Sequence, residues 1–150
     1  CTDEKAKELG VKKCSLDELL QNSRIISLHN TLTPKTRGMI GERELNLIQD
    51  NAILVNTARA HVIDEQALIK TLKFGRIRAA LDVFHEEPLS RDYPLLNLPN
   101  VICTPHMAGF SQQWRKKLGE SVVDNIERWT KGESFEDEIT IEKYRRQTPK

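Results

Sequence analysis

Arg59, Glu87 and His106 are the side chains of this sequence best suited to act together on a small molecule. A histidine gives up or takes a proton near neutral pH, because a free imidazole has a pKa of about 6.5. A carboxylate beside it favours the protonated ring and orients it. An arginine offers a planar fork that grips a carboxylate through two parallel hydrogen bonds. Such a set suits reduction of a 2-oxo acid. Arg59 would fix the acid's carboxylate while protonated His106 passes a proton to the carbonyl oxygen as a hydride arrives. Neutral His106 would be the base in the reverse direction. Taken singly, Arg59 would cap a helix or pair with a surface carboxylate. His106 would sit against a backbone carbonyl, and Glu86 and Glu87 would form a solvated loop. Position sets them apart.

Each of the three follows a short apolar run. The runs are Arg24–His29, Ala52–Asn56, Ile77–Phe84 and Val101–Thr104, with a shorter fifth at Val11–Cys14. They are nearly continuous rather than alternating, which predicts strands buried on both faces. Amphipathic stretches separate them, the pattern of a parallel sheet with helices packed on it. Arg59 lies in the loop after the second run, Glu87 after the third and His106 after the fourth. In an open parallel sheet, ligands bind beyond the carboxyl ends of the strands.

The helices carry start and stop signals. Asp3 to Leu9 closes on Gly10, and Ser15 with Glu18 forms a capping box for SLDELLQN. Gly41 to Ile48 is a third helix. Asp64 caps DEQALIKTLKFG, with Ile63 and Leu68 as a hydrophobic staple and Gly75 at the end. A long helix runs from about Ser111 to Lys131 and stops at Gly132, with Trp114, Leu118, Val122, Ile126 and Trp129 in one apolar stripe. The stripe reads as core or interface, and the polar tail from Glu133 as a segment that docks outside these residues.

At 150 residues with 38% hydrophobic and 30% charged side chains, the composition is that of an ordinary globular protein. A formal net charge of +1 gives no reason to expect nucleic acid or an anionic membrane as partner. No apolar run approaches the roughly 20 residues that cross a bilayer, and the first residues do not resemble a signal peptide. Cys1, Cys14 and Cys103 have no metal-like spacing and read as reduced thiols of a cytoplasmic protein. His29, His61 and His85 also lack ligand spacing, so no metal site is expected; His61 and His85 read as surface or supporting residues. The chain opens on Cys1, inside a helix, which leads us to expect a piece of a longer protein.

The stretches SLDELLQNSRIISLHNTLTPKTRGMIG, NAILVNTARAHVIDEQAL, AALDVFHEEPL and LPNVICTPHMAG resemble the D-isomer-specific 2-hydroxyacid dehydrogenases, from about Ser15 to Gly132 and in the family's order. The resemblance implies an α/β fold: the C-terminal portion of a Rossmann-like, doubly wound parallel sheet. Residues 1–109 would be a partial NAD-binding domain. Residues 110–150 would be a crossover helix and a tail returning to a substrate domain. It also implies that Arg59 binds the substrate carboxylate, that His106 is the proton donor and that Glu87 pairs with it. Asp82 would hold the nicotinamide amide. Thr57, Ala58 and Arg59, with His106, Ala108 and Gly109, would line the nicotinamide, and Thr31 would lie near the adenosine side. The cofactor would be NAD or NADP, with NAD favoured, and the protein a homodimer acting on a small 2-oxo or 2-hydroxy acid.

The sequence departs from the family pattern at Thr31, where a proline is usual, and at Ala60, where a glycine is usual. Ala60 would matter if that position needed positive φ. No GxGxxG motif occurs, so the pyrophosphate cradle is not expected among these residues. The segment alone is therefore expected to be inactive. Two other readings stand beside the enzyme: a dehydrogenase-fold scaffold or corepressor that senses the dinucleotide, and a formate-oxidising relative. Glu87 weakens the second, since those relatives carry Gln there.

Overall fold

The computed structural model describes residues 2–109 and 111–145. Four parallel strands lie side by side in chain order: β1 (Ile25–Leu28), β2 (Ile53–Asn56), β3 (Arg78–Leu81) and β4 (Val101–Cys103). Helices α1 (Asp3–Glu8) and α2 (Leu16–Asn22) precede the sheet. Helix α3 (Glu42–Leu47) links β1 to β2, and α4 (Glu65–Lys73) links β2 to β3. Helix α5 (Gln112–Thr130) and a short α6 (Ile141–Arg145) follow.

Local chemistry sets the helix ends. The Ser15 hydroxyl accepts from the Glu18 N–H, and the Asp64 carboxylate from the Ala67 N–H. The expected Ser15 box is only half made, because the Glu18 carboxylate engages Lys12 Nζ at 2.5 Å. A reciprocal contact appears instead on α3, where Glu44 Oε2 accepts from the Gly41 N–H at 3.0 Å. Arg76 closes the far end of α3 by donating to the Leu45 and Ile48 carbonyls, both at 3.1 Å. Gly75 ends α4 at a φ of 71°, a left-handed turn that a Cβ would disfavour.

The register makes two rows across the sheet that face the core, buried in β1 to β3 and partly buried in β4. Ile26, Leu54, Ala79 and Val101 form one; Leu28, Asn56, Leu81 and Cys103 form the other. Leu20 of α2, Leu45 of α3, and Leu68 and Leu72 of α4 pack on these rows as a single core. A strand order that never reverses, joined by crossovers of one hand, places every connecting helix on the same face.

The opposite face corrects the expectation of strands buried on both sides. Ile25, at 68% exposure, and Ile102, at 67%, lie there among Ser27, Ile53, Val55 and Ala80. Burial alternates along β1 and β3 because helices cover only one side. Val11–Cys14 is not a strand. Lys12 and Lys13 tie it to Glu18 and Asp3, on the helices either side, and Val11 is exposed.

The stripe of α5 is likewise uncovered among the described residues, with Trp129 at 69% exposure. The first part of the tail folds back on it. The Glu136 N–H donates to Asn125 Oδ1 at 2.8 Å, and Arg128 pairs with the Glu136 carboxylate. Cys14 and Cys103 are free thiols, while Cys1 lies outside the described residues. No helix is long and apolar enough to cross a membrane, and no cluster of metal-ligating side chains occurs among the described residues.

Candidate active site

Three loops at the carboxyl edge of the sheet build the site. Asn56, the last residue of β2, is 1% exposed and organises the first of them. Its Oδ1 accepts from the Ala58 N–H at 3.0 Å and its Nδ2 donates to the Arg59 carbonyl at 3.1 Å. The amide thus folds residues 56–59 around itself and turns the exposed Arg59 outward. Arg59 Nη1 donates to the Ala58 carbonyl at 2.7 Å. Ala60 begins a short 3-10 turn, and its φ is not positive, so the family's glycine is not needed for backbone freedom here.

The second loop has no helix. Leu95 anchors it in the core, and the Phe84 and Tyr93 rings meet edge to face with centroids 5.8 Å apart. The Phe84 N–H donates to Glu87 Oε1 at 2.9 Å. That bond leaves Glu87 Oε2 for Nδ1 of His106, 2.7 Å away. Burial pushes the Glu87 carboxyl up. The His106 hydrogen bond, the Phe84 N–H and the histidine's charge outweigh it and hold the group below its usual value.

The third loop hangs on Asp82, which is 2% exposed. Asp82 Oδ1 accepts from the Thr104 hydroxyl at 2.5 Å and the Met107 N–H at 2.9 Å, and Oδ2 from the Ala108 N–H at 2.9 Å. Burial alone would raise this carboxyl, but the three donors and His106 together hold it below its ordinary value. With both neighbours of His106 in the grip of the clasp or next to it, the histidine adopts a φ of 50°. Non-glycine residues adopt that left-handed value uncommonly, and here Asp82 holds the backbone N–H of Met107 and Ala108 just after it.

Arg59, Glu87 and His106 line one cavity of about 560 Å³ with Arg37, His61 and His85. Glu87 and His106 also border a neighbouring cavity of about 420 Å³, walled by Phe84, Leu89, Leu96 and Cys103. Thr57, Ala108 and Gly109 are exposed at the same edge and Ala58 is half-buried; Thr31 is exposed on the loop after β1. Sequence reasoning missed Asn56 and Arg37. An Asn ending an apolar run, two residues before a candidate arginine, was the available signal for the first. His61 and His85 lie ring to ring in the cleft, centroids 4.3 Å apart, rather than apart on the surface.

Residues 1–108 match the sequence model of the D-isomer specific 2-hydroxyacid dehydrogenase NAD binding domain. The chain belongs to that family. Among these dehydrogenases it is 47% identical over 128 residues to the glyoxylate reductase of Korarchaeum cryptofilum, covering 85% of this chain and 39% of the relative. It is 44% identical over 140 residues to the D-3-phosphoglycerate dehydrogenase of Methanocaldococcus jannaschii, covering 92% of this chain and 26% of the relative. A crystal structure of a D-isomer specific 2-hydroxyacid dehydrogenase from Xanthobacter autotrophicus Py2, in complex with NADPH and MES, superposes with a TM-score of 0.69. The identity is 38%, covering 80% of this chain and 49% of that one. The chain thus spans less than half the length of these dehydrogenases, and the α/β fold is the Rossmann type they share.

Proposed function

We propose that these residues form the nicotinamide-side half of an NAD(P)-dependent D-2-hydroxyacid dehydrogenase that reduces a small 2-oxo acid to the D-2-hydroxy acid. The observation that carries this reading is the His106–Glu87 pair, 2.7 Å apart, in the same cleft as Arg59. An ionised carboxylate only accepts hydrogen bonds, so Glu87 fixes a proton on Nδ1 of His106 and leaves Nε2 for the substrate. Protonated at Nε2, the ring donates to the carbonyl oxygen; unprotonated there, it takes the proton back from the alcohol. The Arg59 fork holds the substrate carboxylate and sets the carbonyl against the histidine.

The donor set fits the nicotinamide end of a dinucleotide: Thr57 and Arg59, exposed after β2, and His106, Ala108 and Gly109, exposed after β4, lie at the same carboxyl edge of the sheet, with the half-buried Ala58 between the first two. NAD(P)H, when bound, supplies the hydride. Asp82, with one lone-pair site beyond its three donors, would take the carboxamide, and Thr31 would border the adenosine side. With no GxGxxG in the sequence, the pyrophosphate cradle belongs to another part of the enzyme. We accordingly read residues 1–109 as a partial dinucleotide domain and 110–150 as the crossover helix and tail. The uncovered α5 stripe supports further polypeptide against it, in a homodimer by family likeness. The free Cys14 and Cys103 thiols support a cytoplasmic setting.

The test is NADH and NADPH oxidation by the full-length enzyme with glyoxylate, 3-hydroxy-2-oxopropanoate and pyruvate. Turnover of at least one, abolished by His106→Ala, is the expected result. Tight dinucleotide binding without turnover of any 2-oxo acid would overturn the reading.

A further inference from the structure

The cleft carries a second guanidinium, Arg37, beyond the one that a substrate carboxylate needs. Arg37 lines it from the loop after β1, and His61 and His85 line it from the loops after β2 and β3. Backbone hydrogen bonds stitch those first two loops together. The Gly38 N–H donates to the His61 carbonyl at 2.9 Å and the Ile40 N–H to the Val62 carbonyl at 3.1 Å. Arg37 is therefore held next to His61. The His61 and His85 rings stack at an interplanar angle of 32°, and His85 Nε2 donates to the Ile63 carbonyl at 3.1 Å. Against these groups stands a single lining carboxylate, Glu87, and it is turned to His106. Arg37 and Arg59 are exposed, and among the described residues neither is paired with a carboxylate.

We infer that the cleft takes a 2-oxo acid with two anionic groups, its carboxylate on Arg59 and a second anion at the far end on Arg37 beside His61. This rests on the dehydrogenase reading and narrows its substrate class. The second anion is a carboxylate or a phosphate, since a guanidinium grips either through parallel hydrogen bonds. A cavity of about 560 Å³ has room for such a molecule next to the nicotinamide. The local field agrees. Burial holds the His61 imidazole below its usual value, and the nearby positive charge of His85 and Arg37 adds to this, against a smaller opposite pull from Glu65. An anion bound beside Arg37 would favour the protonated His61 ring.

The experiment compares kcat/KM within two matched pairs on the full-length enzyme. One pair is 2-oxobutanoate and 2-oxobutanedioate, which differ by a carboxylate in place of a methyl. The other is 3-hydroxy-2-oxopropanoate and its phosphate ester. The dianion of at least one pair is expected to be favoured by about tenfold or more, the scale of one charge-assisted hydrogen bond, and the pair identifies the anion. Arg37→Gln is expected to erase that ratio, whereas Lys7→Gln, on the exposed face of α1, should not. Because the ratio is taken within one preparation, partial loss of folded protein cancels. Turnover of the monoanions with no dianion preference, or a ratio indifferent to Arg37→Gln, overturns this inference and leaves the dehydrogenase standing. No turnover of any of the four acids overturns this inference, and if glyoxylate and pyruvate are not turned over either, both readings fall.

Discussion

Nδ1 of His106 lies 2.7 Å from Oε2 of Glu87, while the other oxygen of that carboxylate is held by the Phe84 N–H. One carboxylate thus serves two loops, receiving a proton-bearing ring from the segment after β4 and a backbone donor from the segment after β3. Its pairing with the ring fixes which imidazole nitrogen faces the cleft.

Glu87→Gln keeps the shape and removes the charge. The protonated imidazole loses its anionic partner, so the proposed reduction, which would need that form, is expected to fall off at lower pH than in the wild-type full-length enzyme. Oxidation of the hydroxy acid, which needs the neutral ring, is expected to set in at lower pH. Profiles of kcat/KM in both directions check this. A uniform drop with no displacement would mean that Glu87 only shapes the loop.

His106→Ala removes the proposed proton donor and, in the full-length enzyme, is expected to lower kcat by roughly 10²- to 10⁴-fold. Dinucleotide affinity should change little. Fluorescence titration of NADH alongside steady-state rates separates the two effects.

Arg59→Gln is expected to raise KM for the 2-oxo acid about a hundredfold, with a smaller effect on kcat, because a charged fork is replaced by a neutral amide. Asn56→Ala should move KM in the same direction without touching the substrate. It also strands the Ala58 N–H and the Arg59 carbonyl, at a cost of about 1–3 kcal/mol in stability. A denaturation midpoint measured with the kinetics would show the two effects together; a normal KM in a destabilised variant would detach Asn56 from the site.

Asp82→Asn tests the clasp. The carboxyl of Asp82 is held below its ordinary value, so its contribution to stability is fully present above the unfolded carboxyl's pKa of about 3.9 and disappears as pH falls through the folded value. The gap between wild type and variant should be flat near neutrality and close in acid. An amide also turns a donor toward one of the three donors that the carboxylate accepts, so the loop carrying His106 should loosen. Urea midpoints measured between neutral pH and pH 3 decide the first point, and hydrogen exchange at Met107 and Ala108 the second.

Much of this arrangement is legible in the sequence. The four apolar runs became β1 to β4 with boundaries trimmed by at most three residues, and Asp64, Ser15 and Ser111 cap the helices that they head. What escaped reading depends on the third dimension. Continuous apolar runs do not say whether a second layer exists, and Ile25 and Ile102 remain exposed because helices cover only one face. Val11–Cys14 has the composition of a strand, yet its lysines bond to neighbouring helices. Arg37 entered the cleft through three backbone bonds between its loop and the loop after β2, a pairing that no local pattern encodes. His61 and His85 looked unrelated because 24 positions in the numbering separate them, and stacking is set by loops brought together by β2 and β3.

The strand order also has a temporal meaning. Each strand pairs with the one made just before it, so among the described residues every strand after β1 meets a partner already synthesised when it emerges. Arg59 arrives with the second strand, Asp82 and Glu87 follow the third, and His106 arrives only after the fourth. Docking of β4 lets Asp82 catch Thr104, Met107 and Ala108 and brings the imidazole to its carboxylate in the same event. In chain order, the site is complete only once the last strand of the sheet is in place.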